Sequence, residues 1–469
     1  MICPPGANCS HQQMTLSTLR MKDNGYWEAP WGKKPSYHKC IRPENCQANF
    51  GNSNSTLCFG NTHGPLCAVC LPNHFIENGH CKVCGAGFLY WQLAILGAIV
   101  LVVSFLLYMF KRRAKQLYRK FKGDILRILT INLGFAQINS SILSVISVPF
   151  PESYVQYVQS WNFVNFDFTE LLGLSCIGGE FDYRARVGVA CSVPFIVGIV
   201  WGFLYIVRRS HAKHGKRMNN KLLLQESERI FLLGDNDETG SLDEDEFAQL
   251  LKLVGCNGDD ATETMRVLGA KMNASKRFVL SQESFSKAMC GDFAGSETAT
   301  RMIEWSRLIR ARSSSLSEAL QLLFLLHAPV SQRIFHYFLC HDIAGRKFLI
   351  SDYSLSCEES KYVSFLPSVI FMLVVFSLGF PFYIFVLLWR DRKKLQTPST
   401  LATLGFLYSN FKPRNGEYWE VHELFRKLIL MGGLVRLLLT MISFCFFLSS
   451  CTHTSSSLLF FIFVHSVFN

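Results

Sequence analysis

The residues best equipped for chemistry sit in one acidic run, DNDETGSLDEDE, from Asp235 to Glu246, with seven Asp or Glu among twelve positions. Counted from Asp235, oxygen-bearing side chains fall at positions one (Asp235), three (Asp237), five (Thr239), seven (Ser241), nine (Asp243) and twelve (Glu246). A hard cation such as Ca²⁺ takes roughly six to eight oxygens, and this spacing wraps a chain once around it. Gly240 at position six permits the sharp turn, Ser241 offers its carbonyl, and Glu246 binds through both oxygens. Thr239 stands where Asp or Asn is usual; its hydroxyl ligates but adds no charge. With four carboxylates in the set, an affinity in the sensor range of roughly 10⁻⁷ to 10⁻⁵ M is expected.

Two helices must hold such a loop. ESERIFLLG before it and DEFAQLLKLVG after it carry apolar residues at helical spacing, so an EF-hand is expected, with Leu242 supplying a short strand. EF-hands come in pairs. Aligning Phe247 with Phe285 lays Asn273 to Ser284 over the first loop and Leu280 over Leu242. Arg277 then replaces a ligand, Phe278 the glycine and Ser284 the bidentate Glu, so this second loop is expected to be structural only. The pair occupies residues 218–295.

The rest of the chain looks built for lipid. Of 469 residues 49% are hydrophobic, and the net charge is +12; mean hydropathy is +0.20. Charge-free runs at 88–110, 187–207 and 364–389 are long enough to cross a bilayer as helices, because backbone in lipid must bond to itself. Each is followed by a basic segment (KRRAKQLYRKFK, RRSHAKHGKR and RDRKK), so all three end in the cytosol. Parity then requires return crossings, supplied by 125–148 and 318–338, and 428–450 makes a sixth. The expected fold is an all-α polytopic membrane protein of about six transmembrane helices, with a cytosolic EF-hand pair. Residues 404–427 form a cytosolic juxtamembrane segment, where Glu423 and Lys427 are spaced for a helical pair. Residues 451–469 are left unassigned, a truncated end being one reading of them.

The same parity places residues 1–87 outside the cytosol, with nine of the seventeen cysteines: Cys3, Cys9, Cys40, Cys46, Cys58, Cys67, Cys70, Cys81 and Cys84. Dense cysteines in an oxidising compartment read as a disulfide framework around a small core. A zinc site built from Cys67, Cys70, Cys81 and Cys84 is the alternative. Nine is odd, so at least one thiol is free or lacks its partner. The outer loops 149–186 and 339–363 hold Cys176, and Cys340 with Cys357; the latter two could close a disulfide. No secretory signal precedes Cys3, so either the first span serves for insertion or the true start is missing. Asn54 is an available glycosylation site.

Polar residues inside spans are the place to seek a conduction path. Asn132 and Asn139 share a helix face with Gln137 nearby, a face that lines water or glues helices. His327 beside Pro329 reads as a structural residue at a kink. There is no potassium-filter motif and no arginine ladder. No Walker A loop, dinucleotide fingerprint, HExxH helix or kinase signature is present, so no enzyme is expected. The basic juxtamembrane runs, His211 and His214 included, suit anionic lipid heads. Nucleic acid is not an expected partner.

Several phrases carry a resemblance: NGYWEAP (24–30), NTHGPLCAVC (61–70), FVNFDFTELLGLSCIGG (163–179), LLFLLHAPVSQRIFHYFLCHDIAGRKFLISDYSLSC (322–357) and LGFLYSNFKPRNGEYWEVHELFRKLIL (404–430). They cover most of the chain outside the EF-hand insertion. In them the sequence resembles a TRP-like group of multi-pass membrane proteins from protists, algae and oomycetes, with ectodomains similar to ephrin-receptor-like and EGF-like modules. After about Arg436 the resemblance stops, where the family continues with further spans. It implies cation permeation by analogy, here set by cytosolic Ca²⁺, in the plasma membrane or an endomembrane. The alternative is a non-conducting receptor whose ectodomain binds a ligand or matrix partner. Either form could assemble as an oligomer.

Overall fold

The computed structural model describes residues 25–31, 36–48, 56–77, 80–85, 131–139, 151–159, 182–213, 220–395 and 397–431, with short breaks within the last two, and isolated positions that include Cys176. The expected spans at 88–110 and 428–450 and the segment 451–469 lie almost wholly outside the described residues. The chain divides into two compact units, one of residues 1–182, 331–363 and 426–469, the other of residues 183–330 and 364–425.

The first unit is built from short antiparallel strands. β1 (Tyr26–Glu28) pairs with β2 (Tyr37–Lys39), β3 (Cys46–Ala48) with β4 (Thr56–Cys58), and β5 (His74–Glu77) with β6 (His80–Val83). Disulfides Cys40–Cys46, Cys58–Cys67 and Cys70–Cys81 staple these ribbons, which are too short to hold by themselves. The two CxxC pairs are therefore divided among separate bridges, and the zinc alternative falls. Cys84 bonds outside the segment, to Cys176, 92 residues away. Cys340–Cys357 also forms.

The segment 339–363, read from the sequence as a loop, is a three-stranded meander of β10 (Cys340–Ile343), β11 (Arg346–Leu349) and β12 (Asp352–Ser356). Ala344 and Gly345 both have positive φ, 51° and 85°, the two-residue turn that matches the twist of a hairpin. Its apolar face joins the N-terminal segment: Trp27, Cys46, Leu66, Ile343, Phe348 and Tyr353 form one buried cluster. The Trp31 indole donates to the Ile343 carbonyl at 3.3 Å, and Arg346 lies over its ring. The expected all-α architecture does not extend to this unit, whose short alternating runs find cross-strand and disulfide partners instead. The unit also holds a helical stretch at 131–139, where Gln137 is buried and Asn132 exposed. A Cβ on Gly134 would meet the Lys427 ammonium at 2.9 Å, and Lys427, spaced for a helical pair with Glu423, is itself buried. A short helix, α1 (Glu152–Gln159), completes it.

The second unit is helical. Two helices among the described residues are long and apolar enough to cross a membrane. These are α2 (Tyr183–Lys213) and α8 (Ser360–Arg390), which contain the expected spans 187–207 and 364–389. Both display large apolar side chains outward, Ile199 and Phe203 on α2 and Phe371 and Phe382 on α8. Between them in sequence run α3 (Asn220–Gly234), α4 (Glu244–Val254), α5 (Ala261–Val267), α6 (Gln282–Cys290) and α7 (Glu297–His336). The segment 318–338 is the end of α7, a continuous helix of 40 residues. α9 (Pro398–Tyr408) and α10 (Trp419–Leu430) follow α8.

Candidate metal centre

The acidic run is the link between α3 and α4. α3 ends at Gly234, where the side chains of Leu242 and Leu250 close over the backbone. Gly240 takes φ +77°, the left-handed conformation that turns the chain back. Residues Ser241–Asp243 then form β7, antiparallel to β9 (Phe278–Ser281), with Leu242 opposite Leu280. Asp243 caps α4 by accepting the Glu246 N–H at 2.8 Å, and the Glu246 carboxylate accepts the Asp243 N–H at 3.4 Å. This reciprocal box satisfies N–H groups that a helix start otherwise leaves open. Gly255, at φ +81°, ends the helix.

Under this frame lies an apolar core of Ile230, Phe231, Leu242, Phe247, Leu250, Leu251, Met265, Leu280, Phe285 and Met289, all 0–1% exposed. At ~1.5–3 kcal/mol per large buried side chain, the core is ample to orient two helices about the link. The second half repeats part of the plan. Ser281 caps α6 as Asp243 caps α4, its hydroxyl accepting the Ser284 N–H at 3.3 Å. It departs at its start: α5 stops at Val267, and β8 (Lys271–Met272) pairs back on β9. Residues 273–277 lie outside the described residues; Ser284, where a bidentate acid would stand, carries no charge.

The carboxylates of Asp235, Asp237 and Glu246 converge, with one oxygen from each within 4.8 Å of the others. Asp235 and Glu246 are each only 8% exposed, while Asp237 faces solvent. Backbone N–H groups meet this charge. Thr239 and Gly240 donate to the two oxygens of Asp235 at 3.0 and 2.9 Å, and Asp237 donates to Glu246 at 3.2 Å. Hydrogen bonds from Thr239 hold the Asp237 carboxyl below its usual range. The Thr239 hydroxyl donates to the Ser241 carbonyl at 3.1 Å, so positions five and seven lie side by side. Asp243 serves as the cap and is not among the three converging carboxylates, as suits position nine, which often reaches a cation through water. Three carboxylates this close, two of them shielded from water, repel one another, and a divalent cation would relieve that repulsion. Of the residues expected to ligate, the structure brings together the carboxylates of Asp235, Asp237 and Glu246, an all-oxygen set that would suit a hard ion.

The sequence reading missed one residue of consequence, Glu226. It lies on α3 among Leu223, Ser227 and Ile230, on the buried face, and is itself only 4% exposed. It accepts from the Ser306 hydroxyl at 2.9 Å and forms an ion pair with Arg310, both on α7. An acid at helical spacing within an apolar stripe was the available signal. No known protein family, curated protein or solved structure matches the chain.

Proposed function

We propose that the protein is an integral membrane protein that reads cytosolic Ca²⁺ through an EF-hand pair with a single competent loop, residues 235–246. Convergence of Asp235, Asp237 and Glu246 at the spacing of a twelve-residue loop carries this reading. The pairing of Leu242 with Leu280 supports it, because two loops coupled by a short strand share their response. Membrane residence rests on α2 and α8, and an outward-facing first unit rests on its disulfides. What calcium controls is, on the family resemblance, passage of cations along a TRP-like path. Six crossings, a cytosolic module between the third and fourth, and basic segments against anionic lipid belong to the same reading.

The receptor alternative draws on a different observation, the shared core of the N-terminal strands and the 340–357 meander, which presents Trp31 and Arg346 on a stapled scaffold. Current through the full chain in a planar bilayer, with Ca²⁺ buffered stepwise and Glu246→Gln as control, separates the two. Current that tracks calcium and loses that dependence in the variant supports permeation. Silence at every calcium level from folded protein assigns the receptor role.

A further inference from the structure

We infer that α7 is the strut through which calcium loading reaches the membrane helices, an inference that rests on the calcium reading above. Its first contact is with the calcium module. Glu226 on α3, the helix that enters the loop, is held by Ser306 and Arg310. Farther along, Arg208 at the end of α2 donates to Ser314 at 3.2 Å, to Ser315 at 3.0 Å and to both oxygens of Glu318. The Trp201 indole donates to Glu318 as well, at 3.3 Å. The last contact is His327, wholly buried, whose Nε2 lies 2.9 Å from the Ser377 carbonyl of α8. Its ring sits 5.6 Å from both Phe376 and Phe380.

The last contact has a cause in α8 itself. Pro381 has no N–H, so the carbonyl four residues earlier, that of Ser377, loses its helical donor. Residues Leu373–Leu378 adopt a wider π turn there. A carbonyl only accepts, so the His327 Nε2 carries the hydrogen and supplies the missing donor. In an apolar layer a backbone oxygen without a donor is costly, which makes this a latch rather than a chance contact. From Arg310 to His327 the helix is unbroken over about 25 Å, ahead of Pro329. A shift of α3 on calcium binding therefore moves a rod whose other points are fastened to both apolar helices.

Reciprocity gives the test. The full chain in lipid nanodiscs is titrated with Ca²⁺ by calorimetry, as wild type, His327→Ala, Pro381→Ala, Arg310→Ala and the His327→Ala/Arg310→Ala double variant. Pro381→Ala returns a helical donor to Ser377 and releases the latch without altering α7. Each latch variant is expected to shift calcium affinity by about fivefold or more, the lower end of usual couplings. The shift of His327→Ala should shrink in the Arg310→Ala background, where Ala299 and Met302 in the shared core and Arg301 on the Gly255 carbonyl still hold α7 to the module. Affinity unchanged in both latch variants, or a shift of undiminished size without Arg310, overturns the strut. Absence of calcium uptake by the wild type overturns the calcium reading itself, and the inference with it.

Discussion

Replacing Glu246 by Gln separates ligation from folding, because on the proposed calcium reading this one side chain does both. Without metal its carboxylate accepts from the Asp237 and Asp243 N–H groups and closes the box that starts α4. Gln keeps one acceptor oxygen, enough for the box at Asp243, and gives up the bond from Asp237, so the calcium-free fold should survive with a loss of about 1 kcal/mol. With metal the loss is electrostatic. One unit charge at about 2.4 Å from a divalent cation is worth about 3.5 kcal/mol even at the dielectric constant of water. The amide oxygen restores part of this, leaving a deficit of about 2–3 kcal/mol, or roughly 30- to 150-fold in affinity. Calorimetric titration of the full chain in nanodiscs reads the affinity, and circular dichroism at zero calcium checks the fold. An affinity within about threefold of wild type, with an intact fold, would mean that Glu246 does not ligate and that the wrapped-loop argument is wrong.

Gly240→Ala should destabilise the calcium-free protein by about 1 kcal/mol in thermal unfolding, from backbone alone, since an added Cβ meets nothing within 4 Å at φ +77°. The Asp237 carboxyl should titrate below the ordinary aspartate value in NMR, with the midpoint rising in Thr239→Ala, whose hydroxyl is gone. The sign follows: a depressed folded-state value gives a contribution that is complete above the unfolded value and lost as pH falls through the lowered midpoint. Cys84→Ser and Cys176→Ser should destabilise the first unit equally, by up to about 4.5 kcal/mol for a loop of this length, with the double variant no worse. Peptide mapping without reduction should recover the Cys84–Cys176 crosslink, and its absence rejects that pairing.

Local pattern determined what local physics controls. The acidic spacing, Gly240 and the apolar stripes of α3 and α4 are set within about twenty residues, where periodicity suffices to read them, whereas the reciprocal Asp243–Glu246 cap emerged only with the structure. The charge-free runs 187–207 and 364–389 likewise declared themselves by composition, since a bilayer-length helix needs no partner to be recognised. Contacts far apart in sequence were decided only by the tertiary fold. Nothing near Cys84 points to Cys176, the 340–357 meander shares its core with Trp27 some three hundred residues away, and Lys427 is buried beside Gly134 although its helix reads as amphipathic. Glu226 finds Arg310, and His327 finds the carbonyl that Pro381 strips of its donor, only when separate helices pack. Each of these pairs brings together groups whose need for a partner is visible in sequence, while the choice of partner belongs to packing, where the chain's three-dimensional path sets which groups meet.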